Sequence, residues 1–523
     1  MRLSRLTIVA AAMFAAACGP TDTTPTGRGS GSLEVAVDDP RLAVILGSRD
    51  SLRVTVDRTG GFAGPVGIAI EGGSTTATTL VSGIRESGSQ TIAWIVVDVP
   101  EWAVPGDFPF TIRVSGAGGL TATTAARLLV RSNADPLPVL NVTTAGGAPI
   151  ESREIYLPGT FTLTDAAGQV AAQGNLDIRG RGSSTWGMPK KPYRLRLATS
   201  TPLLSMPANR HWVLLANFAD KTLLRNELAF ELSRILGMEY TPRSRPVSLI
   251  LNGSYDGVYY LTEHIRIGSN RIDIPELRVT DTSATAITGG YLIEIDARRG
   301  EDFCFDSSMT LSVFCLSNPE TLLEPAWARQ REYIESYVRR IDTVLLGPQF
   351  ADPVSGYSAL IDVESALSYY FVNELFRNVD GNLRLSTFLY KKRGGKLFFG
   401  PVWDFDLAIG NANYGDADRV EGWHIRTAPW FERMFQDPVF AARARTRWRQ
   451  MAADRVLERL MTTIDARADS LGYAQVRNFQ RWPILDTWVW PNRVVTGSYR
   501  GEILAMKQWL ADRWRWMDGQ FTQ

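Results

Sequence analysis

The chain has 523 residues, which is more than one hydrophobic core normally organises, so at least two folded units are expected. Hydrophobic residues make up 45% and charged residues 21%, values typical of globular proteins, and this composition excludes a mainly disordered chain. The 56 basic and 55 acidic side chains leave a net charge of +1, so the bulk charge indicates neither a nucleic-acid partner nor binding to an anionic membrane surface.

The N-terminus has the pattern of an export signal. Arg2 and Arg5 precede an apolar run that is too short to span a bilayer, and small residues then lead to Cys18. The segment AAAC is similar to a bacterial lipobox. This similarity predicts that residues 1–18 are a lipoprotein signal peptide and that Cys18 is lipidated. The lipid would anchor the protein in the cell envelope, facing outside the cytoplasm. Ala15 stands where the motif usually has Leu, so ordinary signal-peptide cleavage is the alternative.

A flexible tether and a β domain are predicted next. Residues 19–31 are rich in Thr, Pro and Gly, the composition of a flexible linker. From 32 to 132, short alternating apolar runs recur between turn residues, namely LEVAV, SLRVTV, VGIAI, TIAWIVVDV, FPFTIRV and ARLLV. That spacing predicts an all-β sandwich similar to the immunoglobulin-like (Ig-like) modules of bacterial surface proteins. The sandwich carries no catalytic cluster, so a spacer or adhesion role is expected for it.

A second domain with mixed α and β signals is predicted over 137–523. Three stretches have helical period, KTLLRNELAFELSRILG, DVESALSYYFVNELFRN and EILAMKQWLADRWRWM. Asp220 and Asp362 are the predicted N-caps, and Gly237 is a predicted C-cap. Two β-hairpins are also predicted, one turning at 252–253 (Asn-Gly) and one at 394–395 (Gly-Gly).

Several enzyme classes lack their motifs. The chain has 3 histidines and no HExxH, which disfavours a zinc hydrolase, and it has neither the GxSxG of serine hydrolases nor the GxxxxGK[ST] of P-loop NTPases. Besides Cys18 there are two cysteines, Cys304 and Cys315. Outside the cytoplasm we expect them to form a disulfide, and two buried thiols are the alternative.

A glycine-rich hairpin is the first segment that suggests chemistry. In LDIRGRGSSTWGMPKKPYRLRL, residues 176–197, the loop carries Gly180, Gly182 and Gly187, and a strand follows Lys190-Lys191. Glycine lets backbone N–H groups approach phosphate oxygens, and a lysine on the outgoing strand can pair with the same phosphates. A surface hairpin with basic flanks is the alternative.

Two aspartates are the next candidate catalytic residues, and each lies just after a predicted secondary-structure element. Asp380 lies just after a predicted helix in FRNVDGN, and Asp404 lies just after the second hairpin in GPVWDFDLAIGN. Phosphoryl transfer uses one carboxylate to orient and deprotonate the attacking hydroxyl and another to hold Mg²⁺ on the nucleotide phosphates. Both aspartates therefore suit that reaction, and two turn-capping residues are the alternative.

The chain also resembles the CotH (spore coat protein H) kinase family. The resemblance runs from about residue 140 to at least 414. It rests on IRGRGSSTWGMPKKPYRLRL, WVLLANFADKTLLRNELAFELSRILG, LNGSYDGVYYLTEHI and NVDGNLRLSTFLYKKRGGKLFFGPVWDFDLAIGNANY, which follow one another in the order of a kinase small lobe, hinge and catalytic apparatus. It implies an α+β atypical protein-kinase-like domain that binds ATP with Mg²⁺ or Mn²⁺ and acts outside the cytoplasm on a protein substrate.

The resemblance also implies roles for single residues. Asp380 corresponds to the catalytic aspartate and Asp404 to the metal ligand, while Asn382 and Asp406 are further candidate metal ligands, with a surface or capping role as the alternative. The residues implied to cover the nucleotide phosphates are Arg179, Gly180, Arg181, Gly182, Ser183 and Ser184.

Four more residues complete the implied nucleotide site. Lys190 or Lys191, which the sequence does not distinguish, corresponds to the lysine that pairs with the nucleotide. Glu227 lies where kinases place an ion-pairing glutamate on a helix, and Glu263 ends an apolar strand as a candidate buried partner for a lysine or arginine. A solvated helix face for Glu227 and an exposed strand edge for Glu263 are the alternatives.

Three functional hypotheses follow. The first is an extracytoplasmic kinase that transfers a phosphoryl group from ATP to Ser or Thr of a surface or secreted protein, or of itself. The second is a catalytically inactive kinase-fold surface protein with a structural or binding role. The third is an enzyme of another class with paired carboxylates, such as a glycosidase, which would leave the glycine-rich hairpin without a role.

Overall fold

The structure is a computed structural model that describes residues 31–297, 303–310, 312–318 and 322–522. The chain divides into two compact units, Met1–Val130 and Arg131–Gln523. The predicted signal peptide, Cys18 and nearly all of the predicted tether lie outside the described residues.

The first unit is built from strands in its described part. They are β1 (Ser32–Val37), β2 (Arg41–Ile45), β3 (Ser48–Thr59), β4 (Val66–Gly72), β5 (Thr78–Ser87), β6 (Gln90–Val99), β7 (Gly106–Gly116) and β8 (Thr121–Arg131). They form two four-stranded sheets, ordered β1-β3-β6-β5 and β2-β8-β7-β4. Each of the six apolar runs found in the sequence lies in one of these strands, and the prediction of an all-β sandwich is confirmed.

Alternation of side chains explains how the two sheets pack. In β6 every second residue is buried, and Ile95 and Val97 from this sheet meet Ile112 and Val114 from the other in one apolar core. Successive side chains of a strand point to opposite faces, so an alternating pattern buries one face of each sheet and leaves the other in water.

The second unit begins with a closed barrel. Its strands are β9 (Val139–Thr144), β10 (Leu157–Thr164), β11 (Val170–Gly180), β12 (Tyr193–Leu203), β13 (Met206–Leu215), β14 (Ser244–Leu251) and β15 (Ser254–Glu263). They close in the order β10-β11-β12-β13-β15-β14-β9. The neighbours pair antiparallel except β14 and β9, which run parallel with Leu249 opposite Leu140. The segment that the resemblance assigns to a kinase small lobe therefore forms a closed barrel in this chain.

A second sheet and most of the helices follow the barrel strands, and one helix lies between β13 and β14. The sheet has the order β17-β18-β16-β19-β20 and consists of β16 (Tyr291–Ile295), β17 (Phe303–Asp306), β18 (Val313–Asn318), β19 (Thr387–Lys391) and β20 (Leu397–Phe399). The described helices are α1 (Arg225–Ile235), α2 (Ala328–Leu346), α3 (Val363–Phe376), α4 (Pro429–Met434), α5 (Pro438–Ala453), α6 (Val456–Arg481) and α7 (Tyr499–Phe521). The prediction of an all-β unit followed by an α+β unit is thus confirmed.

The three predicted helices are present, and one of them begins later than expected. Helix α1 begins at Arg225 with Leu224 as its N-cap residue, so the prediction of Asp220 as N-cap is wrong. The Asp220 carboxylate still accepts a hydrogen bond from the Arg225 N–H at 2.9 Å. The Asp362 N-cap is confirmed, and the helix α1 ends before Gly237, whose φ of 73° is left-handed.

The cysteine pair lies in the second sheet. Cys304 on β17 is directly opposite Cys315 on β18, and the two sulfur atoms form a disulfide. Phe305 and Phe314 stack beside it, and Phe314 packs on Trp430 of α4. Among the described residues, every helix is too short or too polar to cross a membrane.

Candidate active site

The glycine-rich segment folds tightly on itself between β11 and β12. A Cβ atom at Gly180 would lie 2.3 Å from the Trp186 ring, and one at Gly182, where φ is +85°, would lie 2.1 Å from Thr185 Oγ1. The N–H groups of Gly180 and Arg181 already donate to the backbone oxygens of Ser152 and Pro192. The N–H groups of residues 180 and 181 are therefore already hydrogen-bonded within the protein. Gly180 and Gly182 allow close packing of the loop, and they do not form a phosphate cradle.

The exposed end of this loop carries Ser183 and Ser184. Ser183 is the N-cap and Ser184 the first residue of a short 3₁₀ turn, Ser184–Gly187, in which Trp186 N–H donates to Ser183 O. Neither serine lines the cavities described below.

A large cavity lies between the barrel and the second sheet of this unit. It has a volume of about 1170 Å³ and is lined by residues from β11 to β13, from the segment after β15, and from β16 and β19. Six of its lining residues are arginines: Arg179, Arg181, Arg194, Arg196, Arg210 and Arg266. We call this space the arginine cavity. Clustered guanidinium groups of this kind suit the phosphate groups of an anionic ligand.

Part of this charge is balanced by acidic neighbours. Arg179 lies 3.7 Å from Glu154, and Arg196 lies 2.8 Å from Asp177. Both arginines pack over the ring of Tyr156, with the guanidinium carbons 4.9 and 4.5 Å from its centroid. These contacts hold both guanidinium groups at the wall of the arginine cavity.

Two histidines also line the arginine cavity. Burial and the neighbouring arginines lower the pKa of His211 to about 3 and hold the pKa of His264 well below its ordinary value. Both imidazoles are therefore neutral near pH 7, and the positive charge of the cavity comes from its arginines.

The aspartates predicted for catalysis converge. Asp380 follows α3, and Asp404 and Asp406 follow β20. Asp406 is 7% exposed, and burial, followed by the charges of Asp404, Asp220 and Asp380, raises its pKa well above the ordinary value. Carboxylates raise one another's pKa most strongly when they lie close together, so this shift indicates that these side chains are neighbours.

Helix α1 fixes the segment that carries two of these aspartates. Arg225 donates from Nε to Ala408 O at 2.9 Å, and its guanidinium forms a buried ion pair with Asp220. Asn226 Oδ1 accepts a hydrogen bond from the N–H of Phe405, which stands between the two aspartates. Asp404 itself has a left-handed φ of 65° and accepts a hydrogen bond from Ser386 Oγ at 3.0 Å.

The oxygen atoms at this site suit a hard divalent cation. Among the described residues there is no group of three or more His, Cys, Asp or Glu side chains already arranged around a metal position. Asp404 and Asp406 supply two carboxylates, however, and two residues after Asp380 the side-chain oxygen of Asn382 is buried without a hydrogen-bond partner. Carboxylate and amide oxygens are ligands that Mg²⁺ and Mn²⁺ accept, so the donor set fits the cation that the sequence analysis expects.

A second, small cavity adjoins these aspartates. It measures about 30 Å³, and its lining includes Arg181, Lys190, Asn226, Asp404 and Asp406. Arg181 lines both this space and the arginine cavity, and its guanidinium carbon lies 5.4 Å from the ring centroid of Trp403. Arg181 is therefore the cation that links the arginine cavity to the aspartates.

The ammonium groups of the two adjacent lysines are held by other oxygen atoms of the protein. The Lys190 ammonium is buried and donates to Val258 O and to Asn478 Oδ1, and burial lowers the pKa of this lysine to about 7. The Lys191 ammonium donates to Trp186 O at 2.5 Å and lies over the Trp186 ring. The geometry therefore does not support the expected contact of either lysine with nucleotide phosphates, because backbone and side-chain oxygens already hold both ammonium groups.

Glu263 is a buried partner of arginines and makes no contribution to a nucleotide site. Its carboxylate is fully buried, accepts hydrogen bonds from Tyr240 Oη and Arg243 N–H at 3.0 Å, and forms ion pairs with Arg243 and Arg271. It lines neither cavity, so a nucleotide contact is corrected to a buried ion-pair cluster at the end of β15. A buried partner for arginine was one of the roles expected from the sequence.

Glu227 on α1 is also buried, and its Oε1 atom has no hydrogen-bond partner. Burial raises the pKa of Glu227, and the charge of Arg467 opposes this shift in part. Glu227 was expected where kinases place an ion-pairing glutamate, and neither Lys190 nor Lys191 supplies that partner, because Val258 O, Asn478 Oδ1 and Trp186 O hold their ammonium groups.

Four lining arginines and both cavity histidines were missed by sequence reasoning. Arg194 and Arg196 alternate with apolar residues in PYRLRL, a pattern that places both on one face of β12 and was the available signal. Arg210 and Arg266 join them only through the pairing of β12 with β13 and of β13 with β15.

Comparisons with known proteins agree with the family resemblance. A family model described as CotH kinase protein matches residues 178–517. No curated protein matches the chain.

Solved structures match weakly. The BIgI domain of beta protein from S. agalactiae bound to CEACAM1 is 12% identical, with a TM-score of 0.15, 19% of this chain and 98% of that chain covered. The GspB Siglec domain is 11% identical, with a TM-score of 0.14 and coverage of 27% and 92%. Protocadherin Gamma B7 extracellular cadherin domains 1-4 are 10% identical, with a TM-score of 0.16 and coverage of 46% and 69%. Likenesses at this level carry no argument about function.

Proposed function

The chain belongs to the CotH kinase protein family, and on that premise we propose that it is an extracytoplasmic, ATP-dependent protein kinase. The acceptor is a Ser or Thr hydroxyl of a surface or secreted protein, or of the chain itself. The second unit acts as the kinase-like domain, and lipidation of Cys18 holds the protein in the cell envelope.

One observation carries the proposal. Asp380, Asp404 and Asp406 share a site, and Arg181 lies both at that site and in the arginine cavity. A nucleoside triphosphate needs cations along its phosphates and carboxylates at the end where the phosphoryl group is transferred. This arrangement supports ATP with its phosphates along the arginines and its γ-phosphate toward the aspartates.

The proposed reaction assigns a role to each residue. Asp380 orients the acceptor hydroxyl and takes its proton as the hydroxyl oxygen forms a bond to the γ-phosphorus. The bond between that phosphorus and the bridging oxygen breaks, and ADP leaves with the electron pair. Asp404, Asp406 and Asn382 would hold Mg²⁺ or Mn²⁺, and a cation bound there supplies charge neutralisation for the phosphates. Arg181 would bind phosphate oxygens as a fixed, permanently charged donor.

A labelling experiment tests the proposal. Residues 19–523 are incubated with ATP labelled at the γ-phosphate and with Mg²⁺ or Mn²⁺, and incorporation is compared with Asp380→Asn and Asp404→Asn. Both variants should lose at least about 100-fold in labelling rate, as expected for a catalytic base or a metal ligand. Asp454→Asn, at an exposed helix end, is the matched control and should label as the unmodified chain does. Labelling that survives both active-site substitutions contradicts the proposal.

A specific observation favours the inactive kinase-fold protein as the second candidate. Neither Lys190 nor Lys191 directs its ammonium group toward the aspartates. An inactive protein would bind ATP without transferring phosphate. Thermal unfolding with and without ATP and metal separates the cases, because any ligand that binds only the folded state raises the melting temperature. Stabilisation without labelling supports the second candidate.

A further inference from the structure

Two aromatic rings lie together at the surface of the second unit. Tyr414 and Trp490 are stacked, with centroids 5.8 Å apart and ring planes within 3° of parallel. They keep 37% and 48% of their surface exposed. Large rings this exposed are unusual when they are also paired, because stacking normally accompanies burial.

The rings lie beside the proposed catalytic base. A Cβ atom at Gly415, the residue after Tyr414, would lie 3.1 Å from the side chain of Val379, the residue before Asp380. Burial and then the charge of Asp380 raise the pKa of Tyr414 to about 12, which agrees with that proximity. Trp490 is thus joined through Tyr414 to the surface around Asp380.

The segment that carries Trp490 is held firmly. Asn413 N–H donates to Pro491 O at 3.0 Å, and the buried Asn492 donates from Nδ2 to Asn411 Oδ1 and to Ala219 O. Asn411 in turn donates to Asp406 O at 2.7 Å. The stacked rings therefore have a fixed position relative to the aspartates, which a site for orienting a substrate requires.

The location of the rings decides which substrate they face. Neither ring lines the arginine cavity, where the proposed function puts the nucleotide. A molecule that contacts the rings next to Asp380 is consequently the acceptor.

The chemistry around the rings favours a polypeptide acceptor. Trp488 and Val495 belong to the same segment as Trp490 and are 55% and 41% exposed, so this segment presents further apolar side chains at the surface. A sugar chain would need hydrogen-bonding groups along its hydroxyls, whereas an apolar or planar side chain of a peptide needs only ring faces.

We propose that Tyr414 and Trp490 form an acceptor platform, on which a polypeptide substrate stacks a planar side chain while a neighbouring Ser or Thr hydroxyl reaches Asp380. The inference rests on the proposed kinase function and adds the recognition element of the acceptor. It predicts that substrates carry an aromatic residue close to the phosphorylated one.

Peptide kinetics test the platform. A set of peptides with one Ser and with Trp, Tyr, Phe, Arg, Leu or Ala at the neighbouring positions is assayed with residues 19–523. Aromatic peptides should be preferred, and Tyr414→Ala and Trp490→Ala should each raise the KM for the best peptide by about tenfold, the scale of losing one stacked ring. The KM for ATP should change less than about twofold, because the rings lie outside the arginine cavity.

Two further variants separate stacking from other causes. Tyr414→Phe keeps the ring and should keep the KM for the peptide, and Trp102→Ala, at an exposed tryptophan of the first unit, is the matched control. An unchanged peptide KM in both alanine variants, no preference among the peptides, a preference for arginine peptides over aromatic ones, or phosphorylation of oligosaccharides in place of peptides overturns the proposal.

A binding measurement keeps this result distinct from the kinase question. If the unmodified chain transfers no phosphate, the proposed function fails, and the platform is judged by fluorescence anisotropy of labelled peptides at equilibrium. Binding of the aromatic peptide that is lost in the Tyr414→Ala/Trp490→Ala double variant, with an unchanged melting temperature, supports the platform. Equal binding by both proteins, or none by the unmodified chain, overturns it.

Discussion

Arg181, and neither adjacent lysine, should be the main cation for the nucleotide phosphates. Arg181 lies in both cavities, whereas the Lys190 ammonium is held by Val258 O and Asn478 Oδ1. A hydrogen bond between charged partners contributes about 1.5–3 kcal/mol. Arg181→Met should therefore weaken nucleotide binding by about 10- to 150-fold. Lys190→Met should change it by less than about threefold, because Lys190 lines the small cavity while its ammonium group is held by Val258 O and Asn478 Oδ1.

Isothermal titration calorimetry with a non-hydrolysable ATP analogue and Mg²⁺ measures both dissociation constants without catalysis. Arg181→Met should also lower the unfolding free energy by about 0.5–1 kcal/mol, since the contact with the Trp403 ring is lost. Thermal unfolding checks that both variants are folded. A larger loss of affinity in Lys190→Met than in Arg181→Met, with both proteins folded, would refute this reasoning and restore the lysine as the phosphate partner.

Three further predictions concern stability. Glu374→Ala should lower the unfolding free energy in urea by about 3–5 kcal/mol, because it leaves the fully buried Arg513 guanidinium without its ion pair; a loss below about 1 kcal/mol would contradict this. Burial lowers the pKa of Lys190 to about 7, so above that pH the folded state holds fewer protons than the unfolded state. The unfolding free energy of the unmodified chain should therefore rise by about 2–3 kcal/mol from pH 7 to 9, relative to that of Lys190→Met. If the unfolding free energies of the two proteins changed with pH in the same way, this reasoning would be wrong. Replacing Cys304 and Cys315 by Ala should cost about 2–3 kcal/mol, the effect expected for a short closed loop, and an unchanged denaturation midpoint would count against it.

Local patterns predicted the local structure well. The apolar alternation of TIAWIVVDV gave strand β6, the Asn252–Gly253 pair gave the turn between β14 and β15, and Asp362 gave the N-cap of α3. Each of these depends on residues within a few positions of one another, where side-chain period and turn chemistry act directly.

Closure of the barrel was not predictable in the same way. It depends on parallel pairing of β9 with β14, which brings Leu140 beside Leu249. Apolar period identifies each strand but does not identify its partner across such a separation, and a sheet and a closed barrel share the same alternation.

Some residues of the candidate site could likewise be predicted from local sequence, and others depend on tertiary contacts. The aspartates Asp380 and Asp404 were found because their chain positions after a helix and a hairpin suffice to bring them together. The direction of the Lys190 side chain was not predicted, because Lys190 lies in the loop before β12, where no strand period determines which way a side chain points. Tyr414 and Trp490 lie far apart in sequence, and their stacking depends on the tertiary contact between Asn413 and Pro491.

The closed barrel has a consequence for copies of the protein at high local density. Unpaired strand edges are where β proteins associate into larger assemblies, and ring closure leaves β9 to β15 without such edges. The sheets of the first unit, in contrast, end at β1, β5, β2 and β4. Any edge-to-edge association between neighbouring copies would therefore involve the sandwich sheets or the sheet that ends at β17 and β20, and it would leave the barrel that lines the arginine cavity undisturbed.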